Sequence, residues 1–544
     1  MSDFKDKVIY QIYPKSFKDS KGDGQGDLRG IIEKLDYLKD LGVDYLWITP
    51  FFLSPQNDNG YDIEDYYKID PAYGTMEDLE ELIKEAAARY IYLMLDMVFN
   101  HTSTHHEWFK KALKGDPYYK DFYFFKKSEE GYPTNWESKF GGPVWEYVED
   151  LDEYYLHLYD ESQADLNWEN PNVRKELVKV LDFWLDKGIK GFRFDVINVI
   201  SKDKFEDDFE GDGRRFYTDG KKVSAYLKEL NEKTFGKYED VITVGEMSST
   251  TIDKCIKYTN PDNHGLDMAF NFHHLKVDYK DGKKWTLMPF DFMELKRLFD
   301  QWEVSMEEGG GWNALFLNCH DQPRSVSRFG DDKNFHKESA KMLATVIHMQ
   351  EGSPYIYQGE EIGMTNNYFT DIKDYRDVET INYFKILKDQ NIPEDEIYEI
   401  IQEKSRDNAR SPMQWTPEGG FTSGDAWIKV NENTKHINVE DSLKDEDSIF
   451  YYYKKLISLR KSYKIISHGS YRPFLEDHDQ VYAFKRILDK EELIVLNNFY
   501  GKDTDLEIEN IKDYEVLISN YKDHKLEDSL KLRPYESLVL YKNK

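Results

Sequence analysis

The chain has little of what staples small or exported proteins together. Cys255 and Cys319 are its only cysteines in 544 residues, and they lie far apart. A disulfide framework is therefore excluded as the organising device, and a reducing compartment is the default. No apolar run reaches the ~18 residues of a membrane-spanning helix. The first residues, Met1 to Lys7, hold no apolar signal region. There is no internal repeat and no low-complexity tail. Positive charge is also short: 73 Lys and Arg stand against 104 Asp and Glu, a formal net charge of −31. Such a field disfavours nucleic acid and anionic membrane as partners. It also means that an anionic ligand needs a local cationic cluster. These absences leave the expectation of a soluble, cytoplasmic protein, most simply a monomer, that handles a small molecule.

Aromatic residues, by contrast, are plentiful at 15%. Most must be core, but such side chains also suit stacking on sugar rings. Apolar runs alternate with helical patterns in a regular rhythm. Val8 to Pro14 reads as a strand, Leu28 to Leu41 as a helix stopped by Gly42, and Tyr45 to Pro50 as the next strand. Met76 to Tyr90 reads as a helix and Ile91 to Asp96 as the third strand. From His101 to Asn170 the rhythm breaks into Tyr, Trp, Gly, Pro and charge with no helical period. It resumes with a helix over Val173 to Lys187 and a strand ending at Asp195. Later strands are read at Val241–Glu246, Met268–Phe272, Ala314–Cys319 and Pro354–Gln358. Eight βα units of this kind predict a (β/α)8 barrel with an excursion after strand three. The expected boundaries are a barrel over 1–102 and 170–468, an inserted subdomain over 103–169, and a C-terminal antiparallel β-sheet domain over 469–544.

In such a barrel, catalytic side chains come from the C-terminal ends of several strands. Strand three ends in Asp96, followed by Asn100 and His101. Strand four runs Gly191-Phe192-Arg193-Phe194-Asp195, so Arg193 and Asp195 share one face by the period of two. Strand five ends in Glu246, and strand seven leads to His320-Asp321. A lone Asp at a strand end is usually a turn former, but four carboxylates on one rim form a set. Like charges at close range push their pKa values apart, so one carboxyl stays protonated while another is ionised. Double displacement at a glycosidic carbon needs such a pair, roughly 5–5.5 Å apart.

Asp96-Met97-Val98-Phe99-Asn100-His101, Gly191 to Asp195, Val244-Gly245-Glu246 and Asn318-Cys319-His320-Asp321 resemble, in order, the four signature regions of the α-amylase family of retaining α-glucoside hydrolases. The resemblance covers essentially the whole chain. It implies Asp195 as nucleophile, Glu246 as acid/base and Asp321 as the carboxylate that holds the sugar hydroxyls. It also implies that His101, Arg193 and His320 bind the terminal glucosyl unit, with Arg193 orienting Asp195. Asp96 and Asn100 would shape the rim. Gln163-Ala164-Asp165-Leu166-Asn167-Trp168, Asp58-Asn59-Gly60-Tyr61 and Ser405-Arg406-Asp407-Asn408-Ala409-Arg410 are similar to the oligo-1,6-glucosidase branch, which often has Pro where Ala164 stands. In that branch an Asp–Arg pair closes the pocket behind the terminal glucose. Asp58 with Arg406 is the expected pair, with Arg410 as competitor, and Tyr61 would stack under the sugar.

Val196, directly after the nucleophile, goes in this branch with linkages other than α-1,4, because a β-branched side chain crowds the next sugar. Glu246 to Thr251, Phe270 to Trp285 and Gly310 to Phe316 look like the trehalose-6-phosphate hydrolase (phosphotrehalase) group. That resemblance implies α,α-trehalose 6-phosphate as substrate, with an oligo-1,6-glucosidase as the alternative. A phosphate carries about −1.5 to −2 charges, and the loop after strand six supplies His273, His274, Lys276, Lys280, Lys283 and Lys284. Lys284 is the expected phosphate contact, followed by Arg324 and Lys283. A shared metal at His273-His274 is not expected, because adjacent side chains on a strand point apart. A non-catalytic transporter-associated relative would have lost carboxylates and gained a span; a transglucosylase would use the same residues. No organic cofactor is required.

The loop Asp19-Ser20-Lys21-Gly22-Asp23-Gly24-Gln25-Gly26-Asp27 places carboxylates among glycines, as an oxygen-ligated cation needs. The branch often holds a structural calcium here, on Asp19, Asp23 and Asp27. Lys21 departs from that pattern, which leaves two expectations: a structural calcium on these three carboxylates, or the Lys21 ammonium in the cation's place, paired with them.

Overall fold

Eight parallel strands carry the architecture, and a computed structural model describes residues 4–543 apart from 525 and 528. The strands are β1 (Ile9–Ile12), β2 (Tyr45–Ile48), β3 (Tyr92–Met97), β4 (Gly191–Phe194), β5 (Ile242–Glu246), β6 (Met268–Phe270), β7 (Ala314–Leu315) and β8 (Ser353–Tyr357). They pair in sequence order, and β1 also pairs with β8. A parallel bridge between Ala269 and Asn313 closes the remaining seam, so the sheet is a barrel. Every residue of β1, β2, β4 and β8 is buried, which is why these strands read as continuous apolar runs.

The expected helix over Leu28 to Leu41 is two helices, Leu28–Glu33 and Leu35–Leu41, broken at Lys34, whose φ of −107° and ψ of 5° leave the helical well. Gly42 ends the second at φ 100°, where a side chain would be strained.

The segment after β3 is ordered. His101–Ser103 pairs antiparallel with Gln163–Asp165, so the excursion is zipped shut where it leaves and rejoins the barrel. Between them lie the helices Glu107–Leu113 and Pro117–Lys120 and a small antiparallel sheet of Phe125–Lys126, Trp145–Val148 and Glu153–Leu156. Neither helix is long enough to show a clear period, which explains why the sequence pattern is silent there. Trp136, Val144, Trp145, Leu156, Leu158, Val196, Val199 and Tyr217 form the core of this insert.

A second excursion follows β8. The helices Val378–Asp389 and Glu394–Lys404 pack with Trp285, Phe369 and Tyr375 in a core of their own. Beyond the helices Ile449–Ser462 and Lys464–His468, a five-stranded antiparallel sheet runs in the order Ser470–Phe474, Val481–Leu488, Glu491–Asn498, Ser537–Asn543, Glu515–Ser519.

Candidate active site

The barrel interior is built in layers. Trp47, Phe270 and Tyr355 form an aromatic floor, with ring centroids 4.5 Å apart for Phe270–Tyr355 and 5.5 Å for Trp47–Phe270. The Arg193 guanidinium lies on this floor, 5.0 Å from the Trp47 ring. The register of β3 and β4 sets Arg193 beside Asp96. Arg193 Nη1 donates to Asp96 Oδ1 at 2.7 Å and to Asp195 Oδ1 at 2.7 Å, and Nη2 contacts the Glu246 carboxylate. One cation thus holds three carboxylates from three strands. Asp96 is itself fixed from behind by Trp47 Nε1 at 3.0 Å and the Tyr61 hydroxyl at 2.9 Å.

Burial pushes the Asp195 carboxyl up to about 6, with Arg193 pulling against it and Asp96 reinforcing it. Asp321 goes the other way. Burial alone would raise it, but His320, Arg406 and Arg410 outweigh that and hold it below the carboxylate range. Burial keeps His320 itself neutral, down at about 3, so the lasting attraction comes from the two guanidiniums. Their nitrogens sit 3.2 Å (Arg406) and 2.8 Å (Arg410) from Asp321 Oδ1.

Above these groups opens a cavity of about 240 Å³. Asp58, Tyr61, His101, Asp195, Glu246, Asp321, Lys284 and Arg406 all line it. Arg193 and His320, expected to touch the sugar, do not line it. Arg193 lies beneath Asp195 and Glu246, and His320 lies beneath Tyr61, stacked on that ring at 5.3 Å and 7°. Each is almost fully buried and reaches the cavity through the neighbour it holds. Tyr61 is anchored as much as exposed, since its hydroxyl is also 2.7 Å from His320 Nε2. His101 is held between Asn100 and the Tyr61 carbonyl.

The pair behind the pocket is Asp58–Arg406, at 3.4 Å. Arg410 binds Asp321 and the His320 carbonyl instead. The tighter partner of Arg406 is Asp377, at 2.6 Å, a residue the motif reading missed. Asp377 caps the helix Val378–Asp389 by accepting from Glu379 N and Thr380 N. An Asp just before an apolar helical pattern was the available signal. Glu379, on the same turn, takes the Lys284 ammonium at 2.7 Å and the Trp285 indole at 3.2 Å. The charge of Lys284 is therefore already met by a carboxylate. Arg324, expected on the rim, is buried and donates to the carbonyls of Gln358 and Ala409, so it is no phosphate contact.

Lys202 was also missed. Its side chain is fully buried, 2.7 Å from Asp165 Oδ2 and 2.8 Å from Asn100 Oδ1. Val196 has φ 36° and ψ 39°, the left-handed region, where a β-branched residue is a true outlier. Its side chain lines the cavity and belongs to the core of the insert.

The carboxylates of the Asp-rich loop, Asp19, Asp23 and Asp27, are engaged by hydrogen bonds of the loop and its neighbours. Asp19 accepts from the backbone N–H of Lys21, Gly22 and Gly24 and from the Thr422 hydroxyl. Asp27 accepts from Ser20 and caps the first helix at Gly30 N, and Asp23 accepts from Gln25 N. Lys21 Nζ donates to the Ala72 carbonyl rather than to any of the three. Among the described residues no three His, Cys, Asp or Glu side chains converge as a metal would require. These carboxylates shape a turn.

The cavity continues outward into a second one of about 1180 Å³, lined by the insert, the loop after β6 and the helix Val378–Asp389. No helix among the described residues is long and apolar enough to cross a membrane.

Residues 11–469 match the α-amylase catalytic domain family, and residues 481–539 match the α-amylase SusG C-terminal domain family. A trehalose-6-phosphate hydrolase of Bacillus subtilis (strain 168) is 55% identical over 98% of this chain and 97% of its own length. An oligo-1,6-glucosidase of Parageobacillus thermoglucosidasius is 48% identical over 98% of each chain. The crystal structure of the Bacillus licheniformis trehalose-6-phosphate hydrolase superposes with a TM-score of 0.96 at 56% identity, covering 100% of both chains.

Proposed function

Because the chain belongs to the α-amylase family, with its catalytic domain spanning residues 11–469, we propose that it is a retaining α-glucosidase that hydrolyses α,α-trehalose 6-phosphate to glucose and glucose 6-phosphate. One observation carries the phosphate. In a chain of net charge −31, the vestibule outside the closed glucosyl pocket is lined by Lys139, Arg214, Lys276, Lys280, Lys283 and Lys284. A cationic cluster in an acidic protein is what a sugar phosphate needs and a neutral disaccharide does not.

Asp58, Arg406 and Asp377 close the inner end, so the substrate enters with its terminal glucose first and one glucose is removed at a time. Glu246 protonates the bridging oxygen while Asp195 attacks the anomeric carbon. Water then resolves the glycosyl-enzyme with Glu246 as base. Arg193 keeps nucleophile and acid/base in register, and Asp321 accepts from the sugar hydroxyls as the ring distorts. Side chains fill every role, so no organic cofactor enters. A dianionic sugar crosses a bilayer poorly, which supports a cytoplasmic enzyme.

Side-by-side rates on trehalose 6-phosphate, trehalose and isomaltose test the reading. The phosphorylated sugar is expected to give the highest kcat/KM. Equal or faster turnover of isomaltose would instead favour the oligo-1,6-glucosidase reading, which Val196 and the Parageobacillus relative support.

The acid limb of the pH profile follows from Asp195. Its carboxylate must be ionised to attack, and burial holds its pKa at about 6. On an aryl α-glucoside, kcat/KM should fall about tenfold per pH unit below that value. A limb near pH 4 would contradict the burial argument.

A further inference from the structure

The backbone ladder between β4 and β5 ends at the rung Phe194–Gly245. Asp195 and Glu246, the next residue on each strand, therefore lie past that rung. Each is held on its outer side: Asp195 N donates to the Met97 carbonyl on β3, and Met247 N to the Phe270 carbonyl on β6. Between the two carboxylates the link inside the barrel is Arg193. A second link lies beyond them. Val196, in the left-handed region, leads into a single tight turn over Ile197–Val199, from which the Asn198 side chain reaches across to Ser248. Ser248 N donates to Asn198 Oδ1 at 2.8 Å, and Asn198 Nδ2 donates to the Ser248 carbonyl at 2.9 Å. A primary amide offers the donor and the acceptor of a peptide group. Asn198 thus supplies one more rung between the two strand ends, made by a side chain.

This rung is firmly set. Asn198 is fully buried. Its Nδ2 also donates to Asp219 Oδ1 at 3.1 Å, and its carbonyl accepts from Asp219 N at 2.9 Å. Asp219 in turn accepts from the Thr250 and Tyr258 hydroxyls, each at 2.9 Å. Both loops carry a non-glycine residue in the left-handed region, Val196 at φ 36° and Ser249 at φ 52°. Such conformations persist only where the surroundings over-determine them, and Asn198 bonds both loops where they occur.

We propose that Asn198 is a positioning residue that fixes the separation of Asp195 and Glu246. Arg193 ties the two carboxylates from below, and the amide rung ties their backbones from beyond, so the reacting groups are bracketed. Double displacement needs them roughly 5–5.5 Å apart, and loss of the outer rung lets the strand ends splay. The first half-reaction suffers most where the leaving group must be protonated, since Glu246 has to reach the bridging oxygen while Asp195 reaches the anomeric carbon. Cleavage of a disaccharide needs that proton. α-Glucosyl fluoride does not: its C–F bond breaks as the Asp195 carboxylate attacks, and the electron pair leaves on fluoride. The assignment rests on the double displacement described above and not on the identity of the second sugar.

The test uses the full chain and its Asn198→Leu and Asn198→Asp variants. Leu fills the space without either hydrogen bond; Asp keeps the acceptor for Ser248 N and loses the donor to the Ser248 carbonyl. The readout is kcat/KM for trehalose 6-phosphate divided by that for α-glucosyl fluoride, taken within each protein so that any loss of folded enzyme cancels. Asn198→Leu should lower kcat/KM on trehalose 6-phosphate about 100-fold, the scale of an ångström of misplacement. It should lower the ratio about tenfold or more, part of what general acid catalysis supplies. Asn198→Asp should move the ratio in the same direction. The loss should fall on kcat, with KM within about threefold of wild type, because Asp58, Tyr61, His101 and Arg406 still line the pocket. A ratio that stays at the wild-type value in both variants, while rates and Tm fall together, makes Asn198 a packing residue and overturns the proposal. So does a loss confined to KM. If wild type cleaves isomaltose in preference to trehalose 6-phosphate, the substrate reading falls, isomaltose takes its place in the ratio, and Asn198 is judged in the same way. A wild type that cleaves neither disaccharide nor the fluoride removes the double displacement and this inference with it.

Discussion

Asp195→Asn is expected to lower kcat/KM on any α-glucoside substrate by about four orders of magnitude or more, the scale of removing a nucleophile whose neighbours remain in place. The amide keeps the shape and still accepts from Arg193 Nη1, so the geometry around it should survive. Stability should not fall. Asp195 has a folded-state pKa of about 6, above the unfolded value of about 3.9. Wild type therefore loses stability as pH rises between those two values, because the unfolded chain ionises first. Asn has no such loss. The variant should melt at or above wild type at pH 7, and the difference should vanish as pH falls to about 4. A folded Asn variant retaining more than about 1% of the rate would remove Asp195 from the mechanism.

Lys202→Met should produce the largest loss of stability. The ammonium is buried between Asp165 and Asn100, and burial lowers its pKa while Asp165 pulls it back up. Removing it strands Asp165 without a counter-charge at the mouth of the insert, on the strand Gln163–Asp165 that pairs with His101–Ser103. Breaking one partner of a buried pair costs about 3–5 kcal/mol. The double variant Lys202→Met with Asp165→Asn should recover most of that, since no charge is left unpaired. Thermal unfolding of the three proteins decides the matter. A single variant that melts like wild type would show the pair to be dispensable. Activity should fall with stability in the single variant, because His101 and Gln163 line the glucosyl cavity on either side of this zipper.

The barrel and its rim were legible because parallel strands are buried on both faces. Val8 to Pro14 or Gly191 to Asp195 cannot be mistaken for exposed strands, and polar residues at their ends stand out. The same contrast fails in loops. Lys202 lies in Ser201-Lys202-Asp203-Lys204, which reads like any solvated turn, yet only Lys202 is turned inward to a carboxylate 37 positions earlier in the chain. Asp377 and Arg406 meet across two helices with no shared period to announce them. Arg324 shows the opposite failure: a cation after strand seven looked like a ligand contact and proved to brace backbone carbonyls. The Asp-rich loop shared its spacing with cation sites, but the same spacing lets each carboxylate accept from the N–H groups of its own turn. Local pattern specified which elements form. Which charges pair was decided by distances that no local window contains.

Val196 gives one of these pairings a historical consequence. Its side chain belongs to the insert's core, its backbone carries left-handed strain immediately after the nucleophile, and it lines the cavity beside Asp195 and Glu246. A change of linkage preference made at this one side chain should therefore also disturb the insert's packing. Any smaller residue that widens the entrance takes volume from the core that also holds Trp136 and Trp145, while a non-glycine replacement keeps the left-handed strain of about 1–3 kcal/mol. Descendants with altered linkage choice should therefore carry compensating changes in the insert, and the two regions should be inherited as a unit.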